Sequence, residues 1–297
     1  MAVSQASEAS RGSRASAGIL YVVATPIGNL EDITLRALKV LKSVQLVAAE
    51  DTRRTGLLLR HFDIQSPVLS VHEHNERARV ERITGRLAKG DSVALVTDAG
   101  TPGISDPGAT LVAAIRKAGF RVEPIPGASA VVTGISASGI SSHGFTFLGF
   151  PPVRSKDRTK YFADLVEAAG SRLVVFFEAP HKISKTLTEL SCLVVWPIIV
   201  ARELTKVHEE FVEGLPAHLV GRFDNPQGEF TILIPPRPVD ASSMNPAENV
   251  SDEEVMHVFG HTVEKSVFGS KKDAARAVGE RLGLTARQVY SILERNK

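Results

Sequence analysis

From residue 18 onward, short runs of consecutive apolar residues alternate with longer stretches in which apolar residues return every three or four positions. The first pattern marks buried strands and the second amphipathic helices. Strands are predicted at residues 19–23, 46–49, 68–71, 92–97 and 121–125. Leu30, Ile33, Leu35, Leu38 and Leu41 recur at near-helical spacing, residues 52–61 form a second helix, and Ile83 and Leu87 lie on a third. Asp106 followed by Pro107 reads as an N-cap and first turn, opening a helix through Ala118. A further helix follows residues 126–130. Near-continuous apolar strands alternating with helices predict a parallel α/β sheet.

The pattern changes after about Ile140. Strands follow at residues 145–149, 173–177, 198–201, 209–213 and 230–234, with helices at 155–168 and, from Pro180, to Leu190. Polar alternation in 209–213 fits an antiparallel edge. A second, mixed α/β domain is expected, with the boundary near residues 141–144. Pro, Ser and Asn then mark a linker. Beyond it Ala274, Ala275, Val278 and Leu282 keep helical spacing until Gly283 breaks it. Thr285 and Gln288 form a capping box for a last helix with Val289, Ile292 and Leu293 on its apolar face. Two short helices about a glycine turn resemble a helix-turn-helix; a plain helical hairpin docked on the body is the alternative. The expected organisation is a flexible Ser/Ala-rich tail at 1–17, α/β domains at 18–140 and 141–236, a linker at 237–260 and an annex at 261–297. The tail carries Arg11 and Arg14 but no apolar core, so it is not a secretory signal.

Over 297 residues, 43% hydrophobic and 23% charged composition excludes disordered, collagen-like and coiled-coil classes. The mid-chain apolar stretch 193–201 has nine residues and contains Pro197, short of the roughly 20 that a membrane helix needs. A single cysteine, Cys192, rules out an intrachain disulfide and a four-thiolate metal site, and suits a reducing compartment. Its apolar neighbours make it read as an inert buried thiol. The net charge of +2 hides an asymmetry: residues 261–297 hold eight Lys/Arg against four Asp/Glu, leaving 27 basic and 29 acidic groups elsewhere. A basic annex suits a polyanionic partner such as nucleic acid, although basic helices also occur without one.

Four segments offer chemistry. Residues 98–108 place three glycines and two prolines between a buried strand and a helix, where the backbone can approach a ligand closely. An empty tight turn is the plain alternative, and without G-x-G-x-x-G or a Walker lysine a nucleotide-phosphate cradle is disfavoured. In Glu50-Asp51-Thr52-Arg53-Arg54, Asp51 or Thr52 caps the next helix, and the arginines are a phosphate grip or an ordinary solvated pair. His72 and His74 lack further ligands at metal-site spacing, so no metal is expected. Glu178, His181 and Lys182 leave an apolar strand around Pro180, near a helix N-terminus, where the dipole favours a carboxylate. Capping by Glu178 with a solvated His181 is the alternative. A serine nucleophile has no G-x-S-x-G elbow.

Taken in order, residues 21–34, Glu50-Asp51-Thr52-Arg53, the 97–108 loop, Pro126-Gly127-Ala128-Ser129-Ala130, residues 177–182 and Gly228-Glu229-Phe230-Thr231 resemble the family of ribosomal RNA small subunit methyltransferase I. The resemblance covers about residues 18–235 and extends to the basic annex. It belongs to the tetrapyrrole methylase superfamily and implies two α/β domains holding S-adenosylmethionine in the cleft between them, a homodimer and a cytoplasmic enzyme. It implies methyl transfer to the 2′-oxygen of a cytidine ribose in 16S ribosomal RNA or the small ribosomal subunit. By the resemblance, donor contacts fall on Pro26, on Gly100, Thr101, Pro102, Gly103, Ile104 and Ser105, on Ala128, Ser129 and Ala130, and on Arg202, Leu204, Phe230 and Thr231. Positioning a ribose hydroxyl in line supplies much of the rate. Glu178 or His181 accepts its proton, and Lys182 or Arg53 steadies the charge or holds the adjoining phosphate. Two rivals stand beside this reading: a small-molecule methylase of the tetrapyrrole or diphthamide branch, and a non-catalytic RNA-binding module.

Overall fold

Apolar strands buried on both faces must be covered on both faces, and the first half of the chain is built that way in the computed structural model. The structure describes residues 17–72, 75–223, 227–238, 252, 255, 256, 258, 259, 274, 275, 278, 279, 282, 284 and 286–295. The chain divides into one unit of residues 1–133 with 204–207 and another of residues 134–203 with 208–297.

In the first unit, β1 (Ile19–Val23), β2 (Leu46–Ala49), β3 (Val68–Ser70), β4 (Val93–Val96) and β5 (Arg121–Ile125) form one parallel sheet in the order β3-β2-β4-β1-β5. Alternate residues face opposite cores. Leu46, Ala48, Val93 and Leu95 meet Ile83 and Leu87 of α3 (Glu76–Ala88) and Leu111 and Ile115 of α4 (Ala109–Lys117). Val47, Ala49, Ala94 and Val96 meet Ala37 and Leu41 of α1 (Leu35–Ser43) and Leu59 of α2 (Thr52–His61). The expected apolar period from Leu30 splits into a 3-10 turn at Leu30–Asp32 and α1, because Thr34 caps α1 by accepting from the Ala37 N–H at 3.0 Å.

The expected start of α4 is displaced. Asp106 and Pro107 precede the helix, and its N-cap is Gly108 at φ 129°, which has no side chain with which to cap. Glu76, buried, supplies the cap from α3: its Oε1 accepts from the Leu111 N–H at 2.7 Å.

The second unit holds the second half of α5 (Ala130–Ala137) and a mixed sheet of β6 (Phe145–Phe147), β7 (Leu173–Glu178), β8 (Ile198–Arg202), β9 (Glu210–Gly214) and β10 (Phe230–Ile234), ordered β6-β7-β10-β8-β9. Only β6 and β7 run parallel; β9 is the expected antiparallel edge. Phe162 and Leu165 of α6 (Ser155–Ala168), Ile183 and Leu187 of α7 (Ile183–Ser191), and Leu219 of α8 (Pro216–Leu219) cover Val174, Phe176, Val200 and Ile232. The helix expected from Pro180 opens as a 3-10 turn, Pro180–Lys182, before α7.

Cys192 overturns its expectation: it is the C-cap of α7 and exposed. Its neighbours alternate, with Leu190 buried and Leu193 and Val195 exposed, because the turn rotates the apolar run outward. Val255, Val258, Ala275, Val278, Leu282, Leu284, Val289 and Ile292 form a core of their own that includes the C-terminal helix Ala286–Arg295. The tail at 1–16, most of the expected linker and the Thr285 cap lie outside the described residues. Among the described residues no helix is long and apolar enough to cross a membrane.

Candidate active site

Five parallel strands bring all their carboxyl ends to one edge, the edge at which open α/β sheets bind ligands. There the loops after β1, β4 and β5 are tied together. Thr25 and Gly100 exchange backbone hydrogen bonds of 2.9 and 3.1 Å, and the Thr101 hydroxyl donates to the Ala128 carbonyl at 3.4 Å. Thr25 Oγ1 donates to the Thr97 carbonyl at 3.2 Å. Gly103 takes φ 83°, and a Cβ on it would meet nothing nearer than 4.0 Å, so its backbone faces open space. Ser105 holds φ 65°, a strained value of the kind that clusters at ligand sites. Segment Leu204–Val207 closes against Gly28, where a Cβ would lie 3.0 Å from the Leu204 carbonyl oxygen and 2.5 Å from Lys206 Cγ. Exposed backbone at Gly103, beside the half-exposed side chain of Ile104, suits a ligand that combines an apolar surface with hydrogen-bonding groups.

The β2 loop is fixed to the β4 loop by Asp98. Its Oδ1 accepts from the Asp51 N–H at 3.1 Å, and its Oδ2 pairs with Arg54 at 3.4 Å. Asp51 caps α2 by accepting from the Arg53 N–H at 2.8 Å, which answers the capping question posed by the sequence. Arg53 pairs with the same carboxylate at 3.2 Å and otherwise projects into solvent. That pairing pulls the Asp51 carboxyl below its usual range and raises the Arg53 guanidinium. Glu50 is held above its usual range, first by burial and then by Asp98, and its Oε2 is buried without a partner among the described residues. It lines a cavity of about 720 Å³ with His72, Glu76, Ser105 and Asp106.

In the second unit, Glu178 directly precedes Ala179, the N-cap of the Pro180–Lys182 turn. It ends β7, is 2% exposed, and has both oxygens engaged. Oε1 accepts from the Ala179 N–H at 2.8 Å, and Oε2 accepts from the Thr186 hydroxyl and pairs with Arg158 at 3.7 Å. Arg158, 5% exposed, also binds Glu189 at 2.7 Å and the Pro152 carbonyl at 3.3 Å. Both oxygens of this carboxylate are engaged in holding the turn. His181 is exposed and Lys182 half-buried on the turn Pro180–Lys182 that Glu178 anchors.

Arg202 stands opposite Phe230 in the β8–β10 pair, its guanidinium 5.9 Å from the ring centroid, and donates to the Gln227 carbonyl at 2.8 Å. Glu203, at φ 53°, accepts from the Glu229 N–H at 3.0 Å and fills the space over Gly228, where a Cβ would lie 2.3 Å from its carboxyl. Thus the expected donor residues fall into two groups, one around Gly100, Thr101 and Ala128 with Pro26 beside Thr25, the other around Arg202, Phe230 and Thr231. Sequence reasoning singled out the 97–108 loop but gave Thr97 and Asp98 no role of their own, and it passed over Glu203. A polar residue ending an otherwise apolar strand was the available signal for the first two. Among the described residues no group of three or more His, Cys, Asp or Glu can hold a metal ion; Glu73 and His74 lie outside them.

The chain is similar to several known proteins. A profile of the Tetrapyrrole (Corrin/Porphyrin) Methylases matches residues 19–219. The chain is 41% identical over 280 residues to ribosomal RNA small subunit methyltransferase I of Synechocystis sp., covering 93% of this chain and 97% of that protein. It is 46% identical over 223 residues to the protein of the same name from Xylella fastidiosa, covering 73% and 81%. Among solved structures, a diphthine synthase shares the fold with TM-score 0.58 and 16% identity, covering 73% of this chain and 90% of that one. Uroporphyrin-III C-methyl transferase from Thermus thermophilus, complexed with S-adenosyl homocysteine, aligns with TM-score 0.52 and 19% identity over 73% and 97%.

Proposed function

The chain belongs to the tetrapyrrole methylase family, among the ribosomal RNA small subunit methyltransferases I, and from that membership we propose that it methylates the ribose 2′-oxygen of a cytidine in 16S ribosomal RNA. The observation that carries the reading is the hydrogen-bonded grouping of the three strand-end loops through Thr25–Gly100 and Thr101–Ala128. These loops suit S-adenosylmethionine, which supplies an electrophilic methyl group when bound.

In this reading Pro26, Gly100, Thr101, Pro102, Gly103, Ile104, Ser105, Ala128, Ser129, Ala130 and Leu204 hold the donor in the first unit. For the second unit the family resemblance implies donor contacts at Arg202, Phe230 and Thr231. The His181 imidazole takes the proton from the 2′-hydroxyl, a contribution of about 10²–10⁴ in rate. Lys182 Nζ steadies the oxygen as charge develops, and Arg53, projecting beyond its Asp51 pair, grips the adjoining phosphate. Glu178 serves by fixing the turn that carries His181. The 2′-hydroxyl is a group that DNA lacks, so the acceptor atom is also a recognition handle. The reading includes a cytoplasmic homodimer and an annex adding salt-dependent affinity for phosphates, as the family resemblance implies.

The test is mass-spectrometric mapping of small subunits from a strain lacking this gene, after incubation with the purified protein and labelled S-adenosylmethionine. One new methyl on a cytidine ribose is expected. Donor binding without RNA methylation overturns the acceptor and moves the assignment to a small molecule. Absence of donor binding overturns the reading as a whole.

A further inference from the structure

A cavity of about 360 Å³ opens at the carboxyl ends of β1 and β4 under α2, apart from the 103–105 backbone. Leu30, Leu57 and Leu58 stand among its apolar lining, and in this surface setting Leu57 is 61% and Leu30 39% exposed. Thr25 and Thr97 line its interior, each 2% exposed. The Thr25 hydroxyl is used on the Thr97 carbonyl. Thr97 Oγ1 is buried and has no hydrogen-bond partner among the described residues. An unsatisfied buried hydroxyl is costly to keep, so one lining a cavity points to a partner that the protein receives from outside. Pro26, Thr55, His61, Arg54 and Asp98 also line it, the Arg54 side chain 66% exposed and paired at 3.4 Å with Asp98.

Exposed leucines beside a buried hydroxyl and a solvent-facing guanidinium match a flat heterocycle with polar edges and a phosphate at one end. We propose that this cavity receives the base of the acceptor nucleotide, with Thr97 Oγ1 as its hydrogen-bond partner, the leucines against its faces and Arg54 on its phosphate. The inference rests on the RNA-methylation reading and adds the place of the base, which it assigns to the α2 side of the donor loops, next to Pro26. A base seated there has left its stack, and a partner for one polar edge offsets part of that cost. A hydroxyl donates and accepts, so Thr97 serves either the ring nitrogen or the exocyclic amine of a cytosine.

The test uses Thr97→Val and Leu57→Ala in the full chain. Thr97→Val removes a hydroxyl that the free protein leaves unpaired, so its Tm is expected to stay level or rise, and lost RNA affinity is then not unfolding. KM for the RNA substrate is expected to rise about 3- to 10-fold, the worth of one neutral hydrogen bond, while calorimetric Kd for S-adenosylmethionine stays unchanged. A weakened donor Kd instead assigns the cavity to the donor and overturns the proposal; so does an unchanged RNA KM in both variants. If the wild-type protein methylates no RNA, the function reading has failed separately. The cavity is then tested with cytidine 5′-monophosphate by methyl NMR. Shifts confined to Leu30, Leu57 and Leu58 and lost in Thr97→Val keep a nucleotide pocket, and their absence overturns it.

Discussion

The two units treat buried polar groups in opposite ways. In the first, the carboxyl ends of the strands carry groups left open: Glu50 Oε2 and Thr97 Oγ1 are buried without partners among the described residues. In the second, the most deeply buried charges are turned on one another, Arg158 holding Glu178, Glu189 and the Pro152 carbonyl at once. Tyr161, whose buried hydroxyl is pushed upward by burial and by Glu178, is the unpaired member at the margin of that network. A satisfied network makes architecture, whereas unsatisfied atoms beside cavities mark places awaiting a ligand. The distinction separates Glu178, which is chemically conspicuous, from Thr97, which is not.

The largest expected effect breaks the satisfied side. Arg158→Ala leaves the Glu178 carboxylate buried, its side chain 1% exposed, without its counter-charge. Removing one partner of such a pair costs about 3–5 kcal/mol, read by urea unfolding. A cost near that of an ordinary surface substitution shows that the network is not structural. Glu178→Gln then returns Glu178 to the candidates for catalysis if it abolishes turnover while leaving the unfolding midpoint in place.

Gly108→Ala comes next. The new Cβ would sit 2.9 Å from Leu95 Cδ2 at φ 129°, a conformation costing about 1–3 kcal/mol for a residue with a side chain. An unchanged Tm overturns the view that this glycine delays α4. Smaller still is Glu76→Ala, which uncaps the same helix from outside and costs about 1 kcal/mol. Glu76→Gln, which keeps an acceptor for the Leu111 N–H, recovers most of that loss.

These helix-terminus effects show what local sequence carries. Strands 46–49 and 93–96 were legible because both faces of each are buried, which writes an unbroken apolar run. The pair Asp106-Pro107 looked like a helix start, but the partner that decides the start is Glu76, 35 positions away from Leu111. Glu178 looked reactive for the same reason: Arg158, its counter-charge, is 20 positions upstream on another element, and no periodicity reveals the pairing. The glycine loop 98–108 was legible as a site because flexible backbone after a buried strand has local signs. Thr97 was not, since its importance lies in a hydrogen bond that it fails to make.

The smallest expected effect concerns Glu50, and its sign is the useful part. Burial first, and Asp98 second, hold its carboxyl above the ordinary value. The folded chain therefore binds that proton more tightly than the unfolded chain, and stability falls as pH rises from the ordinary carboxyl value through the raised one. At neutral pH the ionised group is a standing cost. Glu50→Gln removes it, so the variant is expected to melt slightly higher than wild type at pH 7 and to lose that advantage once the pH falls below the ordinary carboxyl range. Parallel Tm curves across that range, or a variant less stable at pH 7, would mean that Glu50 finds compensation in the folded protein. The contrast between open and satisfied buried groups would then rest on Thr97 alone.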